Sequence, residues 1–234
     1  MNHWLQCYAF DVISMITYSR RMGFLDHGED IGDIMMAIDS DMTYATKVGL
    51  YPSFHPYLFF LRNYAISKKE VGRAYVINFT RNMITQHQAN PKVEPDESSD
   101  EEGGEGAVDF LTKLLKKHSN DPEVFTSYHV LATCGANMIA GSDTTSITLS
   151  AILYYLLKNT SAYQRLRDEV DSTGKELTFA QAQNLPYLQA VIKEALRLHP
   201  ATGLPLERVV PSGGATIAGV FFPKGCIVGI NTWV

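Results

Sequence analysis

The feature that most constrains the fold is one long helical pattern from Asp121 to about Asn159. Asp121 is a good helix cap, and Pro122 suits the first helical position. At 1.5 Å per residue, such a helix spans on the order of 50 Å, most of a domain. Its middle, residues 131–139, is apolar or small on every face, as in helices surrounded by other helices. The pattern therefore predicts a mainly helical fold built around one long buried helix.

Shorter helical patterns flank this segment on both sides. They cover residues 4–24, 30–49, 56–89, 160–171, 178–184 and 186–199. The apolar stripe of the first consists of Trp4, Cys7, Tyr8, Val12, Met15 and Ile16. After Pro200, short β-like runs alternate with glycine and proline, which predicts small hairpins. The expected fold is therefore mainly α, with a small β appendage at the C-terminus.

Residues 91–106 form an acidic segment with seven acids and one base, Lys92. Its prolines and glycines predict a disordered surface loop. The helical pattern resumes at Val108, so we expect the loop to lie within a single domain spanning residues 1–234. Outside the segment, 19 Lys and Arg stand against 18 Asp and Glu. This near-neutral remainder argues against a nucleic-acid-binding protein.

The sequence carries no sign of a membrane span or a metal site. No apolar run approaches the roughly 20 residues that a spanning helix needs, and residues 1–4 do not open a signal peptide. The three cysteines, Cys7, Cys134 and Cys226, are far apart and form no Cys-x-x-Cys pair. The seven histidines show no metal-ligand spacing. We therefore expect the three thiols to be free, and we expect no metal site ligated by protein side chains alone.

The hexapeptide 140–145, Ala-Gly-Ser-Asp-Thr-Thr, interrupts the apolar middle of the long helix. Cap-forming residues of this kind also favour the end of one helix and the start of another. In a continuous buried helix, however, the carboxylate of Asp143 is costly unless it has a task. Gly141 would let a flat group approach the backbone. Thr144 could turn its hydroxyl from the carbonyl of Ala140 towards a ligand, which suits proton delivery to a bound oxygen species.

A second motif, Glu194-Ala195-Leu196-Arg197, lies on the last long helix. Residues three apart share a helix face, so locally it predicts an ordinary surface ion pair. Together, however, the two motifs resemble the central-helix motif and the Glu-x-x-Arg motif of the cytochrome P-450 superfamily. Residues 197–200, 206–211 and 217–233 are also similar to the family, and residues 10–25 resemble a mid-domain helix of its fungal members.

The resemblance implies a partial cytochrome P-450 fold and a haem-dependent monooxygenase that acts on an unidentified small apolar substrate. Asp143 and Thr144 would be the catalytic, oxygen-activating pair. Ala140 and Gly141 would lie against the porphyrin, and Arg208 would reach a haem propionate. An NADPH-dependent reductase would supply electrons. The full-length parent would face the cytosol from the endoplasmic reticulum membrane.

The resemblance also implies what the chain lacks. Glu194 and Arg197 would be structural, with their usual partner on a later segment. Cys226 does not match the family's iron ligand, because it lacks the flanking glycines of that loop. We therefore expect an internal fragment without the N-terminal anchor and the C-terminal haem-cysteine loop. The alternative function is that of a non-catalytic truncated remnant that cannot ligate haem iron.

Overall fold

The computed structural model describes residues 1–65, 73–89, 108–174 and 177–233, and these ranges are mainly helical. The helices are α1 (Asn2–Tyr18), α2 (Phe24–His27), α3 (Ile34–Leu50), α4 (His55–Ala65), α5 (Arg73–Ala89), α6 (Phe110–Asn120), α7 (Ser127–Lys158), α8 (Thr160–Asp171), α9 (Phe179–Gln183) and α10 (Pro186–Leu198). Single 3₁₀ turns lie at Ile31–Asp33 and Pro52–Phe54. The strands are β1 (Arg208–Val209), β2 (Ala215–Ile217), β3 (Val220–Phe222) and β4 (Ile227–Val228). The predicted fold class, mainly α with a small β appendage, is confirmed.

Two predictions remain untested: that residues 91–106 form a disordered loop, and that residues 1–234 form a single domain. The acidic segment 91–106 lies outside the described residues. The residues divide into two compact units, Met1–Ser146 and Ile147–Val234, whose boundary falls within α7. Across the described ranges, no helix is both long enough and apolar enough to cross a bilayer.

The core of the first unit is built where α1 meets the start of α2. The rings of Phe10 and Phe24 are fully buried, with centroids 4.9 Å apart. Side chains from α3, α5, α6 and α7 complete the cluster, among them Ile34, Ile38, Val76, Leu111, Cys134 and Met138. Burial of these side chains removes apolar surface from water and is the main term that stabilises the unit.

The buried face of α1 is not the stripe that the sequence pattern indicated. Trp4 and Ile16 of that stripe are 55% and 46% exposed, whereas Phe10, Asp11 and Ser14 are buried. The helix is rotated because Phe10 packs on Phe24 and the carboxylate of Asp11 has partners inside the unit. It also ends earlier than predicted, at Tyr18, where the following residue adopts a left-handed conformation.

The carboxylate of Asp11 holds the segment that leads into α2. Its Oδ1 accepts hydrogen bonds from three consecutive backbone N–H groups, those of Met22 (3.1 Å), Gly23 (2.9 Å) and Phe24 (3.3 Å). Its Oδ2 accepts a fourth from Leu25 at 3.0 Å. The N–H groups of Phe24 and Leu25 belong to the first turn of α2, which leaves them without an intrahelical partner. A side chain of α1 therefore caps α2.

The long helix α7 begins at Ser127, later than the cap at Asp121 predicted. Asp121 follows the end of α6, and its N–H donates to the carbonyl of Lys117 at 3.2 Å. Its Oδ1 accepts from Val124 at 3.2 Å, so its capping capacity serves a turn between two helices. At the start of α7, the ring of His129 provides the hydrogen-bond acceptor instead. Its Nδ1 accepts from the N–H of Thr126 at 3.0 Å.

The helices of the second unit follow the sequence pattern closely. α8 covers the predicted range, and the side chain of Asn159 caps it. α10 begins at Pro186, as expected for proline at a first helical position. The carboxylate of Glu169 on α8 accepts from the N–H groups of Tyr187 at 2.9 Å and Leu188 at 2.8 Å. This cap ties α8 to the start of α10.

The strands form two antiparallel pairs. β2 and β3 form a hairpin, with Ala215 opposite Phe222. Its two-residue turn, Ala218 and Gly219, has positive φ angles of 50° and 81°, which glycine favours in such turns. β1 pairs with β4, placing Arg208 opposite Val228. This second pair is not a hairpin, since β2 and β3 lie between its strands in sequence.

Candidate proton-delivery site on the central helix

Residues 140–145 lie within an uninterrupted helix, so the alternative of a helix break at this point is wrong. Three hydroxyls in this stretch donate to carbonyls of α7 one turn back. Ser142 donates to Met138 at 2.6 Å, Thr144 to Ala140 at 2.6 Å and Ser146 to the carbonyl of Asp143 at 2.9 Å. Hydroxyls bonded in this way compete with the backbone and locally loosen the helix.

One face of α7 is open in the part of the chain that the structure describes. Ala132, Ala136, Ala140 and Thr144 recur every four residues and are all exposed. The prediction that the helix is buried on all sides is therefore wrong for this face, although Cys134, Met138 and Ser142 on the other side are fully buried. A face of short side chains presents little relief, so it fits the flat side of a planar apolar group.

Asp143 lies beside this face and is half-buried. Its Oδ1 accepts a hydrogen bond of 2.8 Å from Nε2 of Gln6 on α1. Burial raises the pKa of Asp143, the bond from Gln6 acts in the opposite direction, and the nearby charge of Asp39 on α3 raises it further. The net effect is a pKa above the usual value, so this carboxyl holds its proton closer to neutral pH than an ordinary aspartate.

Thr144 is exposed on the open face, and its hydroxyl donates to the carbonyl of Ala140. The predicted rotation of the Thr144 hydroxyl towards a ligand would break this hydrogen bond. The threonine and the carboxylate are adjacent in sequence, so the same turn of α7 carries an exposed hydroxyl and a half-buried acid.

Gly141 faces α1 at close range. A Cβ added to this glycine would come within 2.8 Å of Cδ1 and 2.9 Å of Cγ1 of Ile13. Contacts that short do not occur between carbon atoms, so no larger residue fits without movement of α1 or of Ile13. The group that approaches this backbone in the structure is an isoleucine side chain, and contact of Gly141 with a cofactor stays a prediction.

The remaining motif residues lie in the second unit. The side chain of Arg208 is exposed, and its Nη1 donates to the carbonyl of Glu207 at 2.8 Å. On α10, Arg197 donates to both carboxylate oxygens of Glu194, at 2.8 and 2.7 Å. The hydrogen bond from Arg197 lowers the pKa of Glu194. Their side chains are 66% and 56% exposed, so this is a surface ion pair of good geometry.

The three cysteines are free thiols that differ in burial. Cys7 and Cys134 are buried. Burial raises the pKa of the Cys7 thiol and raises that of Cys134 to about 12. Both thiols are therefore neutral at physiological pH in the arrangement that the structure shows. Cys226 is half-buried in the turn before β4, where its N–H donates to the carbonyl of Pro223 at 3.3 Å. In the described ranges, histidine, cysteine and acidic side chains form no cluster suited to a metal ion.

A cavity of about 890 Å³ lies between α3, α4 and α5 in the first unit. Its polar wall is preorganised. The Tyr44 hydroxyl is 2.9 Å from Nδ1 of His55, and the guanidinium of Arg62 stacks over the Tyr44 ring at 4.5 Å. Phe59 and aliphatic side chains line the rest. The size and mixed lining are typical of small-molecule sites.

Comparisons with known proteins agree on one family. The family model for cytochrome P-450 matches residues 1–234. The chain is 39% identical over 235 residues to a pisatin demethylase of Fusarium vanettenii, covering 100% of this chain and 45% of the relative. It is 36% identical to a cytochrome P-450 monooxygenase of Aspergillus terreus, covering 99% and 47%. A crystal structure of a cytochrome P-450 superposes with a TM-score of 0.68 at 21% identity, over 99% of this chain and 47% of that one. The chain thus spans a little under half the length of these relatives, and its fold is part of theirs.

Proposed function

Since the chain belongs to the cytochrome P-450 family, we propose that the protein carrying it is a haem-dependent monooxygenase, with α7 supplying the proton-delivery groups. One observation carries this proposal. A half-buried Asp143 with a raised pKa is adjacent to the exposed hydroxyl of Thr144, on the edge of the open face of α7. A carboxyl with a raised pKa beside an apolar face is the kind of proton donor that general acid catalysis on a flat cofactor requires.

The open face suggests how a haem would be held. Ala140 and Thr144 would present short side chains to its flat side. From the family resemblance we also propose a haem propionate as the partner of Arg208, since a planar guanidinium suits a carboxylate. Gly141 contributes indirectly, since it contacts Ile13. When bound, haem supplies the redox chemistry that activates dioxygen, and the protein supplies position and protons.

Asp143 and Thr144 have different parts in the proposed proton delivery. Asp143 would keep its proton to a higher pH than an ordinary aspartate, because burial and the charge of Asp39 raise its pKa. Thr144 can exchange its bond to the Ala140 carbonyl for one to a ligand by a rotation about χ1.

The proposed substrate is a small, largely apolar molecule, and the proposed electron donor is an NADPH-dependent reductase. The cavity between α3, α4 and α5 supports the former, since it combines apolar lining with a few fixed polar groups. The relatives named as monooxygenases and as a pisatin demethylase are consistent with small-molecule oxidation.

The test is a Thr144→Ala variant of the intact protein, with Thr145→Ala as a matched control, because Thr145 is an exposed neighbour outside the proposed pair. The assay compares dioxygen consumed with hydrogen peroxide released, in the presence of a small apolar compound that perturbs the Soret band. Thr144→Ala should release a larger share of the oxygen as peroxide, while Thr145→Ala should match the wild type. Equal peroxide yields from the two variants would refute the assignment.

The second candidate is a non-catalytic truncated remnant that cannot ligate haem iron, and the burial of Cys7 and Cys134 favours it because neither thiol is open to a haem. The experiment supplies haem to the 234-residue chain, reduces it, adds carbon monoxide and records the Soret band. We expect no thiolate-type band from this chain and a band from a protein that includes the family's cysteine loop. A band that is lost in Cys226→Ala would instead make Cys226 the ligand and eliminate the second candidate.

A further inference from the structure

We propose that α1 is the positioning element of the proton-delivery carboxyl: Gln6 holds and polarises Asp143, and Gly141 makes this possible by admitting Ile13 against the backbone of α7. The use of Asp143 in proton delivery rests on the proposed function. The contact itself and its effect on ionisation do not.

Two contacts, on different sides of α7, join α1 to this helix. Gln6 and Ile13 are seven residues apart, two helical turns, and so lie along one side of α1. Gly141 and Asp143 flank Ser142, which is fully buried. Ile13 packs on the glycine, and the amide of Gln6 reaches the aspartate at 2.8 Å. The two contacts therefore link the position of α1 to that of Asp143.

The glycine contact controls the separation. A methyl group at position 141 would meet Cγ1 of Ile13 at 2.9 Å. The χ1 angle of isoleucine is restricted in a helix, so Cγ1 cannot easily rotate away. Relief therefore requires α1 to move outwards, and a hydrogen bond of 2.8 Å between Gln6 and Asp143 is lost over such a movement. The two contacts are predicted to act as one unit.

The amide of Gln6 sets the balance between the two protonation states of Asp143. As a donor to a carboxylate oxygen, it favours the ionised form and opposes burial. From α3, the charged group that acts on Asp143 is Asp39, which disfavours ionisation. From α1, the contact is the neutral amide of Gln6. Removal of this amide should leave the carboxyl protonated up to a higher pH.

The experiment titrates Asp143 directly in the intact protein. The carbonyl stretch of its protonated carboxyl is followed by infrared difference spectroscopy across pH and assigned by its absence in Asp143→Asn. The midpoint should rise in Gln6→Leu, rise further in Gln6→Glu, and fall in Asp39→Asn. Val12→Ala, on the exposed side of α1, should leave it unchanged. An unchanged midpoint in Gln6→Leu would overturn the proposal.

The second arm tests the close approach. Gly141→Ala adds no charge, yet it should raise the midpoint in the same direction as Gln6→Leu. Adding Ile13→Ala restores the space and should bring the midpoint back, a coupling that a double-mutant cycle measures. A midpoint in Gly141→Ala equal to the wild type would show that the glycine has no part in positioning. Neither arm needs dioxygen or turnover, so peroxide yields that refute the proposed function would leave these titrations, and this inference, unaffected.

Discussion

Replacement of Asp11 by alanine tests the packing of the first unit most directly. The side chain is 3% exposed and accepts four backbone hydrogen bonds between 2.9 and 3.3 Å. A hydrogen bond to a charged group contributes about 1.5–3 kcal/mol, but four donors on two oxygens do not add independently. Leaving buried backbone N–H groups without an acceptor costs about 1–3 kcal/mol, so we expect Asp11→Ala to lose about 3 kcal/mol.

Asp11→Asn is the intermediate variant, and replacement of an exposed aspartate by alanine is the control. Asp11→Asn keeps the Oδ1 acceptor but turns an amide N–H towards the N–H of Leu25, so its cost should lie between wild type and Asp11→Ala. Asp26, on α2, is 59% exposed and paired with Arg21. Its replacement by alanine should change stability by no more than about 0.5 kcal/mol. The assay is equilibrium denaturation followed by circular dichroism. A loss below about 1 kcal/mol for Asp11→Ala would refute the capping role.

Three further outcomes follow from the geometry. Glu169→Ala should cost about 1 kcal/mol and speed hydrogen exchange of the first amides of α10, because it removes their cap. Burial raises the pKa of Asp109, but the hydrogen bonds it accepts, first from the backbone of Thr112, outweigh this and lower the pKa overall. Its contribution to stability is thus present above the unfolded pKa, about 3.9, and is lost as pH falls through the folded value, so acid denaturation below about pH 4 should be less steep in Asp109→Asn. A thiol reagent at mild alkaline pH should label Cys226 in the native protein, whereas Cys134 should react only on unfolding, as mass spectrometry of labelled peptides can check.

The parts of the fold that the sequence predicted well are those set by local chemistry. The start of α10 at Pro186 and the range of α8 follow from periodicity and from proline at a first helical position. The turn at Gly219 follows from glycine's access to positive φ. Each of these signals acts within a few residues, so it is visible without the rest of the chain.

The predictions were wrong where contacts with residues distant in sequence determine the structure. Asp121 has the chemistry of a helix cap, yet it serves the turn after α6, since only the structure shows which N–H groups lie within its reach. The apolar stripe of α1 was assigned to the wrong face, because Asp11 is buried by hydrogen bonds that a hydropathy pattern does not register.

The candidate site shows the same division. The motif that contains Asp143 and Thr144 can be recognised from six consecutive residues. Nothing in the sequence around Gln6 identifies it as the partner of Asp143. An isolated glutamine on a helix predicts nothing, and the two residues are separated by 137 positions. Contact of Gly141 with a cofactor stays a prediction, and the sequence alone could not show that Ile13 occupies the space next to this glycine.

The two ties of α1 also imply an order of assembly. The carboxylate of Asp11 closes loops of only 11 to 14 residues, whereas the bond from Gln6 encloses 137. Loop closure becomes entropically more costly with length, and non-local contacts slow folding. During synthesis, α1 and α2 can therefore form a capped unit long before the residues of α7 leave the ribosome. The helix that positions the candidate acid is thus prepared early, and the acid is fitted to it only once the central helix has been made.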